Sequence, residues 1–525
     1  MPLFRHCRKA GRARWLGALL LIVSASAGGH AVARQDAVDQ AAPPESAVLE
    51  VKFREGSAIR LRDGRPADLG GSERRGPADQ ALRDIAGTWW RSHDVSEATL
   101  DEWQSAGAAR LADQGDPRGL PNLNLYLQFR PADPAASALA FERLRALPEV
   151  EAVYRVPAPA EAPSPGDYYA PALNPLLYQS YQNAAPLGIG SRLLDDEQAY
   201  PGARGAGVSI CDIEDSWNAD HRDLPPVTLL GPEPTAPFTV TAARNHGTAS
   251  LGVMGGLDDG AGITGIAHEA QFYFSLGETS APTETLQPAA AITRCAAAMG
   301  PGDIILVEQH MRGPRSSGSG QFGFMPVEWY RPAYDAIRTV TANQRIVIEP
   351  AGNGAQNLDD PFYQQGNDGH WPFLPANDSG AIMVGAGRAF EHSRLSFSNW
   401  GGTVDVQGWG QSVVTTGYGN LYAAEGENAW YAHGWSGTSS ASAIVAGAAA
   451  NLQAFHRRLN PGSPPLTAAE IRLLFQRTGT QQGGVEQIGP LPNVPAALES
   501  IRHPLQAVGS VYLPLAVAAC PQLCP

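Results

Sequence analysis

Lysine is almost absent from this 525-residue chain, in which Lys9 and Lys52 are the only two. Because no lysine follows residue 52, the main body has neither a phosphate-binding Gly-Lys-Ser/Thr loop nor a Schiff-base lysine. The 38 basic residues are outnumbered by 52 acidic ones, which gives a formal net charge of −14. Nucleic-acid binding depends on basic surface. We therefore expect no nucleic-acid partner.

Apolar runs long enough to span a bilayer are missing after the N-terminus. Residues 1–14 carry five basic residues and no acid, the apolar run Trp15–Val23 follows, and an Ala-Val-Ala cleavage sequence ends at residue 33. This order is typical of a secretory signal peptide. The alternative is an uncleaved anchor, but the run is shorter than the ~20 residues that a span needs. We expect residues 1–33 to be removed, leaving a secreted or periplasmic protein with no membrane span.

Cysteine is rare as well, with five in the chain. Cys7 lies in the signal segment, which leaves Cys211, Cys295, Cys520 and Cys524. Four cysteines in an oxidising compartment permit two disulfides in three pairings, and the sequence does not decide among them.

A Pro/Ala-rich linker at residues 158–167 separates two regions. Before it, alternating apolar residues from Leu49 to Leu61 predict a hairpin or paired strands, and residues 123–129 predict another strand. Asp133-Pro134 is typical of a helix start, and strand periodicity returns at residues 150–156. We expect a small α+β region at residues 34–165.

After the linker, short β-rich runs alternate with helical stretches rich in Ala and Gly. This alternation predicts an α/β fold at residues 166–502, with a parallel sheet and helices on both faces. Reactive side chains in such folds lie at the carboxyl ends of strands. The tail at residues 503–525 is too short to form a domain. The predicted strands are Val208–Ile213, Ile304–Val307, Ile346–Ile348 and Ile382–Val384.

Four segments of the main region carry groups suited to nucleophilic hydrolysis. Asp212 ends a short apolar strand, and His246-Gly247-Thr248 opens a predicted helix. Ser439 precedes a nearly all-apolar helix, and Asn353 lies in Ala-Gly-Asn-Gly. A serine needs an adjacent base, the base needs an acid to orient it, and the oxyanion needs preorganised donors.

These segments resemble the subtilisin-like serine peptidases, the subtilase family, whose acid, histidine and serine occur in that chain order. The resemblance implies that Asp212 orients His246, that His246 is the general base and then acid, and that Ser439 attacks the scissile carbonyl. Asn353 and the Ser439 N–H would form the oxyanion hole. It further implies a proenzyme that cleaves protein or peptide substrates, needs no cofactor, and is inhibited by its own propeptide until self-cleavage between Val156 and Pro175.

The chain departs from the family pattern near the predicted acid and the substrate strand. Asp212-Ile213-Glu214 replaces the usual Asp-Ser/Thr-Gly, and Asp215 is a rival acid. Where the family pairs a Ser-Leu-Gly strand with substrate, this chain has Glu308, Gln309 and His310. We take these three as candidate substrate-binding residues. Glu349-Pro350 likewise replaces small residues at a pocket wall. These departures motivate a second hypothesis, a silent fold used for binding; an esterase is a third.

A structural calcium site is an additional expectation from the resemblance. The segment Leu257–Ile263 matches in position a calcium loop of several subtilases, and Asp223 and Asp259 would supply its carboxylates. The alternative is a solvated Asp-Asp-Gly turn.

Overall fold

The structure is a computed structural model that describes most of the chain between residues 47 and 502. The predicted signal peptide, most of the linker with the predicted maturation point, the tail, Cys520 and Cys524 lie outside the described residues. Those described are residues 47–70, 82, 85–159, 179–235, 239, 241–278, 285–317, 320–363 and 371–502.

The described residues form strands β1 to β17 and helices α1 to α8. The strands are β1 Leu49–Phe53, β2 Ile59–Arg62, β3 Arg65–Asp68, β4 Gly87–Arg91, β5 Tyr126–Pro131, β6 Val150–Arg155, β7 Ser209–Glu214, β8 Val227–Leu230, β9 Gln271–Leu276, β10 Ile304–Val307, β11 His310–Arg312, β12 Phe324–Pro326, β13 Ile346–Pro350, β14 Ile382–Gly387, β15 Val406–Trp409, β16 Val413–Thr416 and β17 Tyr431–Trp435. The helices are α1 Glu97–Asp113, α2 Ser137–Arg145, α3 Thr241–Gly255, α4 Pro288–Ala298, α5 Arg331–Ala342, α6 Thr438–Leu459, α7 Ala468–Thr478 and α8 Val494–Arg502.

The N-terminal region, residues 47–159, has a four-stranded antiparallel sheet in the order β4-β5-β1-β6. The predicted pairing within Leu49–Leu61 is wrong, because β1 lies between β5 and β6 while β2 pairs with β3. The chain from Leu123 to Leu125 is a 3-10 turn, so the second predicted strand begins only at Tyr126. The Asp133 side chain accepts a hydrogen bond from the Ala135 N–H and caps the turn before α2, as the sequence predicts.

The main region, residues 179–502, contains a seven-stranded sheet in the order β15-β14-β13-β10-β7-β9-β8, parallel throughout. Successive side chains of a strand point to opposite faces. Ile304 and Leu306 of β10 therefore enter the core that contains α3 and α6, whereas Ile305 and Val307 enter the core that contains α4 and α5. The predicted α/β class, with helices on both faces of a parallel sheet, is confirmed.

A disulfide joins β7 to α4 beneath the sheet, between Cys211 and Cys295. Both residues are fully buried. This bond is one of the pairings that the sequence left open, and it ties the strand carrying the predicted acid to a helix that the N-terminal region contacts.

The N-terminal region packs its sheet and α1 against α4 and α5. The Tyr126 hydroxyl donates to Asp335 of α5 at 2.6 Å, and Lys52 Nζ lies 3.5 Å from the same carboxylate. The side chains of Lys52 and Asp335 are each only 2% exposed. Burial alone would raise the pKa of Asp335, but the charges of Arg331 and Lys52 hold it below its usual value. One of the two lysines in the chain is thus buried at the contact between the regions.

Apolar side chains of both regions share one core at this contact. Leu100, Trp103 and Leu123 pack with Ile337 and Val340 of α5. Among the described residues, no helix combines the length and apolar character that crossing a membrane requires.

We predict that Lys52→Met destabilises the chain by about 3 kcal/mol, because a buried carboxylate that loses one cation is poorly compensated. Urea unfolding of the full chain in a Ser439→Ala background, in which the expected self-cleavage cannot occur, measures this loss. Arg62→Met is the matched control, because Arg62 forms an exposed ion pair with Glu97 and its loss should change stability little. Equal losses in both variants would contradict the assigned role of Lys52.

Candidate functional site

The acid that contacts His246 is Glu214, not the predicted Asp212. β7 continues to Glu214, one residue beyond the predicted strand end, so that Glu214 lies at the carboxyl edge of the sheet. His246 Nδ1 donates a hydrogen bond to a carboxylate oxygen of Glu214, and both side chains are 2% exposed. The expectation for Asp212 differs from the structure because Asp212 points to the same face of β7 but lies two residues deeper in the sheet.

Asp212 is fully buried, and the side chain that interacts with its carboxyl is the hydroxyl of Ser250, not His246. Burial raises its pKa well above the usual range, and the negative charge of Glu214 adds to the rise. Burial therefore favours the uncharged form of Asp212. An uncharged carboxyl cannot stabilise an imidazolium as a carboxylate does.

Burial also raises the pKa of Glu214, and the adjacent Asp215 adds to this rise. The Asp215 N–H, which donates to the Glu214 carboxylate, opposes this rise, because a donor to a carboxylate favours the charged form; the hydrogen bond from His246 acts in the same direction. Burial lowers the pKa of His246, while the charges of Glu308 and Asp215 raise it. Asp215, the rival acid in the sequence, acts on His246 through charge alone, since the hydrogen bond that the structure records at Nδ1 goes to Glu214.

The His-Gly-Thr motif holds the acid-bearing loop against α3. The helix begins at Thr241, so His246 lies inside it and does not open it as predicted. A Cβ at Gly247 would collide with the Ser216 carbonyl, and the Asn218 N–H donates to the Thr248 hydroxyl at 2.8 Å. The glycine and the threonine thus allow the loop after Glu214 to approach the histidine helix.

Ser439 lies in the first turn of α6, where backbone N–H groups have no partner within the helix. Gly437 precedes the helix with φ of +107°, a left-handed value that other residues adopt only with strain. The described residues include no hydrogen-bond partner for the buried Nε2 of His246. The edge of the His246 ring packs against Trp435, at 5.6 Å between centroids, just before this helix.

Asn353 is 5% exposed and lies beside the start of α6. Its Oδ1 accepts hydrogen bonds from both the N–H and the hydroxyl of Thr438, each at 2.9 Å. Its Nδ2 donates to Oε1 of Gln321 at 3.1 Å. The amide donor and the Ser439 N–H therefore belong to two segments that are bonded to each other.

Glu308, Gln309 and His310 are all buried in the intact chain. Glu308 accepts a hydrogen bond from Ser442 Oγ at 2.8 Å, and His310 packs its ring edge-on to Phe324 at 4.7 Å. His310 also begins β11, which pairs with β12. The structure thus places Glu308 beside His246. Glu308, Gln309 and His310 stay candidate substrate-binding residues.

Glu214, His246 and Glu308 form a buried cluster in which one donor or acceptor atom of each lies within 4.8 Å of the others. These residue types can ligate a metal. Here, however, Nδ1 of His246 is bonded to Glu214, and Glu308 accepts from Ser442. The cluster is therefore an imidazole hydrogen-bonded to one carboxyl, Glu214, with a second carboxyl, Glu308, beside it that accepts from Ser442.

The two predicted calcium carboxylates accept hydrogen bonds from backbone N–H groups of this loop. Asp223 accepts a hydrogen bond from the Ile263 N–H at 2.8 Å, and Asp259 accepts from the Ala261 N–H at 3.0 Å. Calcium binds carboxylate and backbone oxygens, and these two hydrogen bonds use one oxygen of each carboxylate. The contacts favour the Asp-Asp-Gly turn.

Most of the main region is similar to known proteins. The family model of the subtilase family matches residues 205–489, more than half of the chain. Subtilisin DY of Bacillus licheniformis is 27% identical over 315 residues, which cover 60% of this chain and 98% of that protein. Two solved structures are similar at lower identity. The prenylagaramide maturation protease PagA is 18% identical, and the match covers 59% of this chain and 98% of that protein with a TM-score of 0.42. A protease from Pseudoalteromonas arctica is 19% identical, and the match covers 62% of this chain and 96% of that protein with a TM-score of 0.42.

We predict that Glu308→Gln lowers the pKa of His246, because a carboxylate that favours the imidazolium is removed. The measurement is a pH titration of the imidazole nitrogen shifts by NMR in the Ser439→Ala background. Glu349→Gln is the control, since Glu349 is also fully buried and is not among the charges that act on His246. A His246 pKa that stays the same or rises in Glu308→Gln would contradict the coupling.

Proposed function

Because the chain belongs to the subtilase family of serine proteases, we propose that it cleaves peptide bonds through Ser439, His246 and Glu214. In this proposal Glu214 takes the orienting role that the sequence suggested for Asp212. Asn353 Nδ2 and the Ser439 N–H are the oxyanion donors. The observation that carries the proposal is that His246 donates an Nδ1–H hydrogen bond to a buried carboxylate, while its Nε2 has no partner among the described residues.

The reaction begins when Ser439 Oγ attacks the scissile carbonyl carbon and its proton passes to Nε2 of His246. The C–O bond that forms places negative charge on the carbonyl oxygen, where the two N–H donors stabilise it. Glu214 stabilises the imidazolium through the Nδ1–H bond. The imidazolium then protonates the leaving amine as the C–N bond breaks. Water, deprotonated by the same imidazole, then attacks the acyl carbon. The Oγ–C bond breaks, the imidazolium returns the proton to Ser439 Oγ, and the acid product leaves.

The N-terminal region is proposed to be the intramolecular inhibitor of a proenzyme. It packs against α4 and α5 through a shared apolar core and a buried hydrogen bond, as a docked inhibitor would. Its last described residues lie near the strand that carries Glu214. The Pro157 carbonyl accepts a hydrogen bond from the Leu286 N–H at 2.9 Å, Leu286 forms a β-bridge with Glu278, and the adjacent Gly277 N–H donates to the Glu214 carbonyl at 3.0 Å. We further propose export through the signal segment at residues 1–33 and self-cleavage between Val156 and Pro175. No cofactor is needed for these steps.

The experiment compares the exported protein with Ser439→Ala. The parent should lose its N-terminal region in intact-mass measurements, digest casein and be labelled by a fluorophosphonate, whereas Ser439→Ala should do none of these. Ser440→Ala is the matched control: the Ser440 hydroxyl is the next one along α6 and donates to the Trp409 carbonyl at 2.9 Å, away from His246. It should retain all three properties.

A folded parent that neither labels nor digests casein would contradict the proposal and would favour the silent binding fold. Labelling with turnover of esters but not of casein would instead favour the esterase.

A further inference from the structure

The side-chain amide of Asn353 is oriented without help from its own N–H groups. Two donors from Thr438 hold its Oδ1, each at 2.9 Å, and one of them is a backbone N–H at the start of α6. Because the amide is planar, fixing the oxygen also fixes the direction of Nδ2. The hydrogen bond from Nδ2 to Gln321 is therefore not required to orient Asn353.

Gln321 is held against this amide by backbone contacts on its C-terminal side. The Phe324 N–H donates to the Gln321 carbonyl at 3.0 Å, which closes a tight turn. Within that turn the Gly323 N–H donates to the Gly354 carbonyl at 2.9 Å, next to Asn353 in the chain. Asn399 Nδ2 then links the Phe324 carbonyl at 2.8 Å with the Ala351 carbonyl at 2.6 Å. The turn and the Asn353 segment form one bonded unit.

The atom that reaches Asn353 is Oε1 of Gln321, a carbonyl oxygen of an amide. The scissile peptide presents the same chemical group to the same donor. We propose that Gln321 is an internal competitor, whose side-chain carbonyl occupies the oxyanion-binding amide of Asn353 until a substrate carbonyl displaces it. This inference rests on the proposed function.

Competition of this kind lowers reactivity toward every substrate, because each acyl transfer must first break the Gln321–Asn353 hydrogen bond. A neutral hydrogen bond has a modest net free energy, so its removal should raise kcat/KM by about three- to tenfold. A residue that only supported the loop would have the opposite effect, since its loss would loosen Asn353 and lower kcat.

The test uses Gln321→Leu, which keeps the approximate volume and removes the carbonyl. Enzyme produced from the full chain is titrated for active sites, and kcat/KM is measured with a chromogenic peptide alongside the rate constant of fluorophosphonate labelling. Both should rise about three- to tenfold. Gln321→Glu should lower both, because a carboxylate accepts more strongly from Asn353 and repels the oxyanion.

The same substitution in an Asn353→Ala background separates competition from a general loop effect. Without the amide there is nothing to compete for, so Gln321→Leu should leave kcat/KM of Asn353→Ala unchanged. A fall in kcat/KM on Gln321→Leu, or an equal change with and without Asn353, would overturn the proposal while leaving the peptidase intact. Absence of labelling in the folded parent would instead overturn the proposed function, and this inference with it.

Discussion

The hydrogen bond between Glu214 and His246 is the interaction on which the site depends. It forms at the carboxyl edge of a fully parallel sheet, where β7 ends and α3 passes close by. The close approach needs Gly247, and the Asn218–Thr248 bond fixes the loop that follows the acid. Because the pair is buried and already in place, its two side chains need little rearrangement during a reaction. The disulfide at Cys211 attaches the same strand to α4.

Two buried carboxyls, Glu214 and Glu308, lie beside the His246 imidazole, and a third, Asp212, lies deeper in β7. Burial raises the pKa of both Asp212 and Glu308, and the charge of Glu214 adds to each rise. The charge of His246 opposes the rise at Glu308, and a hydrogen bond from His246 compensates Glu214. Because burial disfavours the imidazolium while Glu308 favours it, the pKa of His246 is set by opposing effects. Asp212, Glu214 and Glu308 thus influence one another's pKa values, although the sequence assigns Asp212 and Glu308 to separate roles.

The sequence was sufficient for the parallel α/β fold and for the segments that meet at the site, because β-rich runs such as Ile304–Val307 and the glycine before Ser439 have strong local patterns. It was not sufficient for the choice of acid. Asp212 and Glu214 share one face of β7, so the choice depends on where the strand ends, and strand ends are the least reliable feature of such predictions. Gln321 could not have been found, because its contact with Asn353 joins residues 32 positions apart through loop geometry. Similarly, alternating apolar residues predicted strands in the N-terminal region, but which strands pair depends on tertiary packing.

The most direct test of the account compares kcat of Glu214→Gln with that of Asp212→Asn on one peptide substrate, after active-site titration. Both changes replace a buried carboxyl with an amide of nearly equal size, so packing is matched. If Glu214 orients His246, Glu214→Gln lowers kcat by about 10³- to 10⁴-fold, as the loss of a triad acid does. Asp212→Asn stays within about threefold of the parent, because the hydrogen bond recorded at His246 Nδ1 goes to Glu214. A large loss of kcat in Asp212→Asn together with near-normal kcat in Glu214→Gln would contradict the assignment of Glu214 as the acid that orients His246.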